Sequence, residues 1–244
     1  MNDVKYSNKN EYNLITAVQR AVGAFDNGYI GTQTLSDIAV KLGADCFPLT
    51  VKMYGYPTIM AKNIILFSPK SPLKGFSNSM LGSFTYPRAI TPCSILVNDG
   101  KALCANSCHA HIGKPESVIY KTETGKVGIT RALSTKDLPS KTITAIGGMG
   151  LGDNYDPVAE GFTGAYADVL RNTDHNVIGY KNKMWYGIYF SGLTGQRINE
   201  IVKTKFKFEY ALLLDGGGLA AINGDETFAR INVNAKQGYA IQFV

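Results

Sequence analysis

Residues 191–218, SGLTGQRINEIVKTKFKFEYALLLDGGG, hold a helical pattern, an apolar strand and a glycine turn in direct succession. Apolar side chains recur at helical spacing over residues 194–207, which predicts an amphipathic helix. The apolar run 211–214 predicts a strand that ends at Asp215. The three glycines that follow this carboxylate tolerate left-handed backbone and leave their N–H groups accessible to an anion. The end of this strand is therefore a candidate binding site.

Outward from this stretch, the chain is dominated by short β-prone segments separated by turns. The hairpin signals are NDG at 98–100, ETG at 123–125 and NGD at 223–225. Segment 68–88 contains three prolines among Gly, Ser and Asn, which predicts a long loop or lid. We predict an α+β fold, in which a mainly antiparallel β domain with a few helices spans residues 45–244. A small helical hairpin over residues 1–44 is expected to precede it.

The composition is that of a globular protein with an excess of basic residues. The chain has 244 residues, of which 45% are apolar and 18% charged. No apolar run approaches the roughly 18 residues of a membrane helix, and the polar start lacks a signal peptide, so we expect synthesis in the cytoplasm and no membrane partner. Residues 45–141 hold twelve Lys and Arg against five Asp and Glu within a net charge of +6. That surplus favours a phosphate-bearing ligand, whereas scattered basic residues without an aromatic stripe disfavour nucleic acid.

The segment 191–218 resembles the closing part of the phosphodiester glycosidase family, whose lysosomal member removes N-acetylglucosamine from its phosphodiester link to mannose. That family places a helix and an apolar strand before an N-L-D-G-G-G-S-S turn. Further elements in the family's order are Ala145-Ile-Gly147-Gly148, Arg171 with Ile178-Gly179, and Asn106. Leu213 replaces the family's Asn, and Leu219-Ala220 replaces its Ser pair.

The resemblance implies a hydrolase that cleaves the glycosidic C1–O bond of a sugar–phosphate diester. It implies a catalytic Asp215 and a substrate-binding set of Arg171, Asn106, Gly216, Gly217 and Gly218. The chemistry suits these residue types, because an arginine fork binds phosphate oxygens and a carboxylate can act as base or as electrostatic stabiliser. A phosphodiester is already a good leaving group, so little general-acid help is needed.

The three histidines of the chain are His109, His111 and His175. We predict acid–base roles for His109 and His175 and a substrate-binding role for His111. An H-x-H pair on a strand would place both imidazoles on one face. The other side chains that could complete a divalent metal site are Asp174, Asp215, Cys104 and Cys108. Because the resemblance implies no metal, we expect no cofactor.

The segment AVQRAVGAFDNGYIGTQTLSDIAVKLG, residues 17–43, resembles the repeat of the peptidoglycan-binding domain. The matching residues are Gln19, Gly28, Ile30, Gly31, Thr34 and Leu35, while Asn27 stands where that family has Asp. The resemblance implies peptidoglycan as a partner. The alternative is a hairpin that only packs on the main domain.

These observations lead to a main hypothesis and two alternatives. The main hypothesis is a bacterial or phage hydrolase acting on a sugar–phosphate diester in a wall glycopolymer, delivered to the cell wall by phage lysis or by the virion. The first alternative is a phage cytoplasmic factor that binds or hydrolyses a phosphodiester nucleotide signal. The second is a non-catalytic wall-binding or virion protein.

Overall fold

The computed structural model describes residues 19–20, 48–67, 76–82, 84–86, 91–217, 220–224, 227–229 and 239–244. The hairpin predicted over residues 1–44 lies outside the described residues, apart from residues 19–20, which are helical. Among the residues described, no helix combines the length and the apolar character needed to cross a bilayer.

Strands make up most of the described structure. They are β1 (Leu49–Met53), β2 (Tyr56–Ala61), β3 (Ile64–Phe67), β4 (Ser79–Leu81), β5 (Thr85–Tyr86), β6 (Thr91–Pro92), β7 (Leu96–Asn98), β8 (Lys101–Cys104), β9 (Glu116–Thr122), β10 (Val127–Ala132), β11 (Thr142–Gly150), β12 (Thr173–Lys181), β13 (Met184–Leu193), β14 (Tyr210–Gly216), β15 (Ala221–Asn223), β16 (Thr227–Ala229) and β17 (Ala240–Phe243). Helix α1 (Gly195–Ile201) continues into a π-helical turn at Val202–Phe206. Short 3-10 helices lie at Ala110–Ile112, Thr135–Asp137, Gly152–Asn154 and Gly164–Leu170.

The described strands form one large sheet, one smaller sheet and a separate two-stranded pair. Within each of them, every described strand pairing is antiparallel. The order in the large sheet is β1-β2-β13-β12-β14-β11-β7-β8, and β9 joins it by pairing with β10 and β11. The second sheet has the order β16-β15-β4-β17-β3, and β5 pairs with β6 separately. The predicted antiparallel β domain is confirmed for the described residues, with a single short α-helix among them.

Strand β14 shows why the apolar run after the helix is a central strand. Leu213 packs into a cluster with the apolar side chains of α1, whereas Leu212 and Leu214 pack into a second cluster with Met80 and Ile241 of the smaller sheet. All three leucines have 0% of their surface exposed. The large sheet is therefore covered by helix on one face and by the second sheet on the other, which requires apolar residues at successive positions of β14.

Two local predictions meet different outcomes in the structure. The NDG signal is confirmed, because Asp99 and Gly100 have φ of 48° and 72° in the turn between β7 and β8. In contrast, segment 68–88 is not only loop: Ser79–Leu81 forms β4, which is buried between β15 and β17. The Pro, Gly and Ser content of the segment conceals this strand, because its burial depends on two partners distant in the chain.

Candidate functional site

The antiparallel pairing of β12 with β14 brings the start of one strand to the end of the other. His175 pairs with Gly216 in this ladder. A Cβ placed on Gly216 would lie 2.7 Å from His175 Nδ1, and one placed on Gly217 would lie 3.2 Å from Arg171 Nη2. The structure therefore brings together Arg171, His175 and the turn that starts at Asp215, whereas Gly218 lies outside the described residues.

Arg171 occupies the exposed rim of this strand end. Its side chain is exposed, and its guanidinium approaches the backbone of Gly217, which has a φ of 65°. A residue with a side chain would be strained at that φ, and its Cβ would press against the guanidinium. The glycine thus keeps open the space that the guanidinium faces.

His175 lies underneath the turn with 0% of its surface exposed. Its Nε2 donates to the backbone carbonyl of Arg171 at 3.2 Å, and its Nδ1 has no hydrogen-bond partner among the described residues. Burial lowers the pKa of the imidazole, with a smaller opposing contribution from the Arg171 carbonyl. A neutral ring that donates through Nε2 presents an unprotonated Nδ1 toward Gly216.

Asp215 is half-buried at the end of β14, and its Oδ1 accepts the N–H of Gly216 at 2.8 Å. Its carboxylate lies close enough to Cys93 to influence that thiol. The pKa of Cys93 is raised to about 12, mainly by burial and then by the negative charges of Asp215 and Glu116. Cys93 is therefore near both the candidate catalytic carboxylate and a second, buried carboxylate.

That second carboxylate, Glu116, is a feature that the sequence analysis missed. It is 0% exposed and accepts hydrogen bonds from Ser94 Oγ at 2.7 Å and from the N–H of Ile95 at 2.6 Å. Burial raises its pKa to about 7. A Cβ on Gly147 would collide with this carboxylate and with the Ser94 hydroxyl, which explains why the A-I-G-G element needs a glycine there.

Glu160 is a further buried carboxylate, and in sequence it ends an acidic segment that also contains Asp153 and Asp156. It is 0% exposed, and it accepts hydrogen bonds from the N–H and the hydroxyl of Ser117 at 2.9 and 3.0 Å. Burial raises its pKa to about 6, against the opposing effect of those bonds and of the Arg131 charge. The sequence indicates neither the burial nor the raised pKa of Glu116 and Glu160.

The H-x-H pair does not lie on a strand, which corrects that expectation. His109 precedes the 3-10 helix Ala110–Ile112, and His111 lies within it. His109 is 5% exposed and its Nδ1 contacts the carbonyl of Glu160 at 2.7 Å, whereas His111 is exposed and its Nε2 contacts the Tyr166 hydroxyl at 3.0 Å. Burial lowers the pKa of His109. The two rings nevertheless contact each other edge to face, with centroids 6.4 Å apart, and both contact Tyr166.

The remaining predicted donors are engaged elsewhere. Asp174 is buried and accepts hydrogen bonds from the Tyr189 hydroxyl at 2.7 Å and from Ser191 Oγ at 2.9 Å. Asn106 is exposed and forms an isolated β-bridge with Ser134. Within the ranges that the structure describes, no three His, Cys, Asp or Glu side chains converge as a metal site would require.

Comparison with known proteins relates the fold, and not the sequence, to solved structures. No protein-family model and no curated protein sequence matches this chain. The chain is similar to the catalytic domain of zebrafish N-acetylglucosamine-1-phosphodiester alpha-N-acetylglucosaminidase auto-inhibited by its pro-peptide, with a TM-score of 0.58, 10% identity and 81% of each chain covered.

A second similar structure is a hypothetical protein from Synechocystis, with a TM-score of 0.53 and 11% identity. It covers 80% of this chain, which spans 60% of that protein's length. At such identities the likeness extends to the fold only. The phosphodiester glycosidase resemblance seen in residues 191–218 thus has a remote structural counterpart, whereas the peptidoglycan-binding resemblance stays a prediction.

Proposed function

We propose that this protein is a hydrolase that cleaves a sugar–phosphate diester between the anomeric carbon and the phosphate oxygen. The observation that supports it most directly is the approach of the Arg171 guanidinium to the glycine turn that carries Asp215. A cation for phosphate, a carboxylate for the sugar side and the backbone of the glycine turn meet at one strand end.

Arg171 is the group that binds the phosphate in this proposal. Its planar guanidinium can hold two phosphate oxygens through parallel hydrogen bonds, a geometry that lysine cannot reproduce. The glycine at 217 leaves the approach to the guanidinium free of side chain. His175 acts as a positioning residue, because its Nε2–H holds the Arg171 carbonyl while its ring has no exposed surface.

Asp215 is the group that acts on the sugar side. Water attacks C1 while the C1–O bond breaks, the carboxylate takes the proton of that water, and the phosphate monoester leaves with the bonding electron pair. The N–H of Gly216 orients the carboxylate through Oδ1. Since the leaving phosphate is weakly basic, this route needs no strong general acid, and it requires no cofactor.

The remote structural likeness supports the class of reaction. The zebrafish protein is, by its name, an enzyme that acts on an N-acetylglucosamine phosphodiester. Leu213 and Ala220 are buried apolar residues here, at positions where the family that the turn resembles has polar ones. We infer a substrate that differs from that of the zebrafish enzyme near the sugar, and a wall glycopolymer is our proposed source.

The direct test incubates the protein with an N-acetylglucosamine-1-phosphodiester or with teichoic acid. Hydrolysis is measured as the release of reducing sugar and of phosphate monoester. Asp215→Asn should lower kcat by about 10²- to 10⁴-fold, which is the range for a lost general base. Arg171→Gln should lower kcat/KM by about 10- to 100-fold, because it removes charge-assisted bonds to the phosphate. Arg197→Gln is the matched control, since this exposed arginine on α1 pairs with Glu200 instead.

The outcomes separate the main hypothesis from its alternatives. Turnover of neither substrate by the wild-type protein would refute the hydrolase proposal, and full activity in Asp215→Asn would refute the site. Arg171-dependent binding or cleavage of cyclic or linear dinucleotides would support the nucleotide alternative. Sedimentation with purified peptidoglycan without any turnover would support a non-catalytic wall-binding or virion protein, and failure to sediment would refute the peptidoglycan partner.

A further inference from the structure

A cavity lies at the end of the central strands opposite to the glycine turn. In the β12–β14 ladder, His175 pairs with Gly216 at one end and Tyr180 with Tyr210 at the other. His175 and Tyr180 are five residue steps apart along β12, which corresponds to about 17 Å. The cavity has a volume of about 350 Å³. It is thus a space apart from the candidate active site.

Three separate segments of the chain each contribute a lysine to the lining of this cavity. Lys62 follows β2, Lys121 lies near the end of β9, and Lys183 lies in the turn between β12 and β13; all three line the cavity. Lys121 Nζ donates to Asn63 Oδ1 at 2.8 Å, which ties the β9 end to the β2–β3 connection. The convergence therefore results from the sheet topology and does not depend on neighbouring positions in sequence.

The described lining of the cavity is positively charged. Glu209 lies at the same end of the sheet, where its Oε1 accepts the N–H of Asn182 at 2.9 Å and its charge helps to raise the pKa of Tyr180. Glu209 does not line the cavity itself, and the charged side chains in its described lining are those of Lys62, Lys121 and Lys183. Like charges repel one another unless an anion enters between them, and partial exclusion of water strengthens that preference.

Aromatic side chains form the rest of the wall. Tyr180 and Trp185 both line the cavity, with ring centroids 5.0 Å apart in an edge-to-face arrangement. Tyr210 stacks on Tyr180 from outside, with centroids 6.2 Å apart and planes inclined by 13°. Tyr180 is half-buried and held on two sides, so it offers a fixed flat surface to a ring.

We propose that this cavity binds a small phosphorylated molecule of about the size of a nucleoside monophosphate. The phosphate contacts the ammonium groups of Lys62, Lys121 and Lys183, and the ring of the ligand packs against Tyr180. The volume is at the lower end of the range for small-molecule sites, which suits such a ligand.

The single tryptophan of the chain, Trp185, is a built-in reporter for this site. Selectively excited tryptophan fluorescence is titrated with adenosine monophosphate and, separately, with inorganic phosphate, and equilibrium dialysis of both detects binding that leaves the emission unchanged. We expect saturable binding of both, with adenosine monophosphate the tighter. The double variant Lys62→Gln, Lys183→Gln should raise Kd at least about tenfold, because each lost charge-assisted contact has roughly that effect.

Two controls complete the test. Lys101→Gln with Lys136→Gln removes the same charge from exposed positions elsewhere and should leave Kd unchanged. Arg171→Gln should also leave the Kd unchanged, because Arg171 belongs to the opposite strand end. Loss of binding in this variant would place the phosphate at the glycine turn and overturn the proposal.

Absence of saturable binding, or equal binding by the lysine double variant, would overturn the proposal too. Binding of phosphate alone would overturn the contact with the ring.

Discussion

Glu116 should make the protein less stable as the pH rises from acid to neutral. The folded state holds this carboxyl with no exposed surface, and its burial raises the pKa from 4.5 to about 7. Well below pH 4.5 the carboxyl is protonated in both the folded and the unfolded chain, and well above about pH 7 it is protonated in neither. Between pH 4.5 and about 7 the folded chain binds this proton more tightly than the unfolded chain does. The free energy of unfolding therefore falls as the pH rises.

The magnitude follows from the width of that pH range. Each pH unit between the two pKa values corresponds to about 1.4 kcal/mol, so the rise from 4.5 to about 7 predicts a loss of about 3 kcal/mol. Glu160 adds a change of the same sign at lower pH, since burial raises its pKa to about 6. His109 and His175, whose pKa values burial lowers, change the stability in the opposite direction.

The substitution Glu116→Gln isolates this contribution, because the amide resembles the protonated acid in shape and cannot ionise. We measure denaturant unfolding at a series of pH values for the wild type and the variant. The stability of the variant relative to the wild type should rise by about 3 kcal/mol between pH 4.5 and 7.

Glu123→Gln is the control, because this exposed carboxylate forms only a surface pair with Lys141 at 3.4 Å. Its stability relative to the wild type should not change appreciably across the same pH range. A flat difference for Glu116→Gln as well would refute the inference that Glu116 keeps its proton in the folded protein.

Two further predictions concern packing and thiol reactivity. Gly216→Ala should destabilise the fold by about 1–3 kcal/mol, since its Cβ would lie 2.7 Å from a buried ring nitrogen of His175; thermal unfolding checks this, and an unchanged Tm would contradict the geometry. Cys93 and Cys108 should alkylate far more slowly in the folded than in the denatured protein, because burial raises the pKa of both thiols, that of Cys93 to about 12. Mass spectrometry of timed samples measures the rates, and equal rates would show that the thiols are accessible.

The local structure of the candidate site was predictable from residues close together in sequence. The helix, the strand and the turn around Asp215 follow from apolar spacing, from an apolar run and from glycine, and the structure places α1 and β14 within the predicted segment. The site hypothesis grouped Arg171 with the glycine turn, and the structure places them side by side. The inference of helix, strand and turn rests on patterns that span a few residues. The grouping of Arg171 with the turn rests on the family resemblance instead, because these residues are distant in the chain.

The surroundings of the site were not predictable in this way. The sequence around Glu116 and Glu160 does not indicate their raised pKa values, which arise because strands from distant segments exclude water from these carboxyls. The H-x-H pair illustrates a related case: it lies at a 3-10 turn and not on the expected strand, and both rings contact Tyr166 there. Each of these properties depends on which segments pack together.

The sequence alone therefore specified the β-rich class of the domain, the turn at 98–100 and the chemistry available at 215–217, because backbone preference and hydrophobic periodicity act over short distances. The fold determined which side chains share a site. Antiparallel pairing of β12 with β14 joined Arg171 to the glycine turn, and the same strands carried Tyr180 to a lysine cavity about 17 Å away. Burial and the distances between charged groups depend on three-dimensional packing, so local sequence patterns do not indicate them.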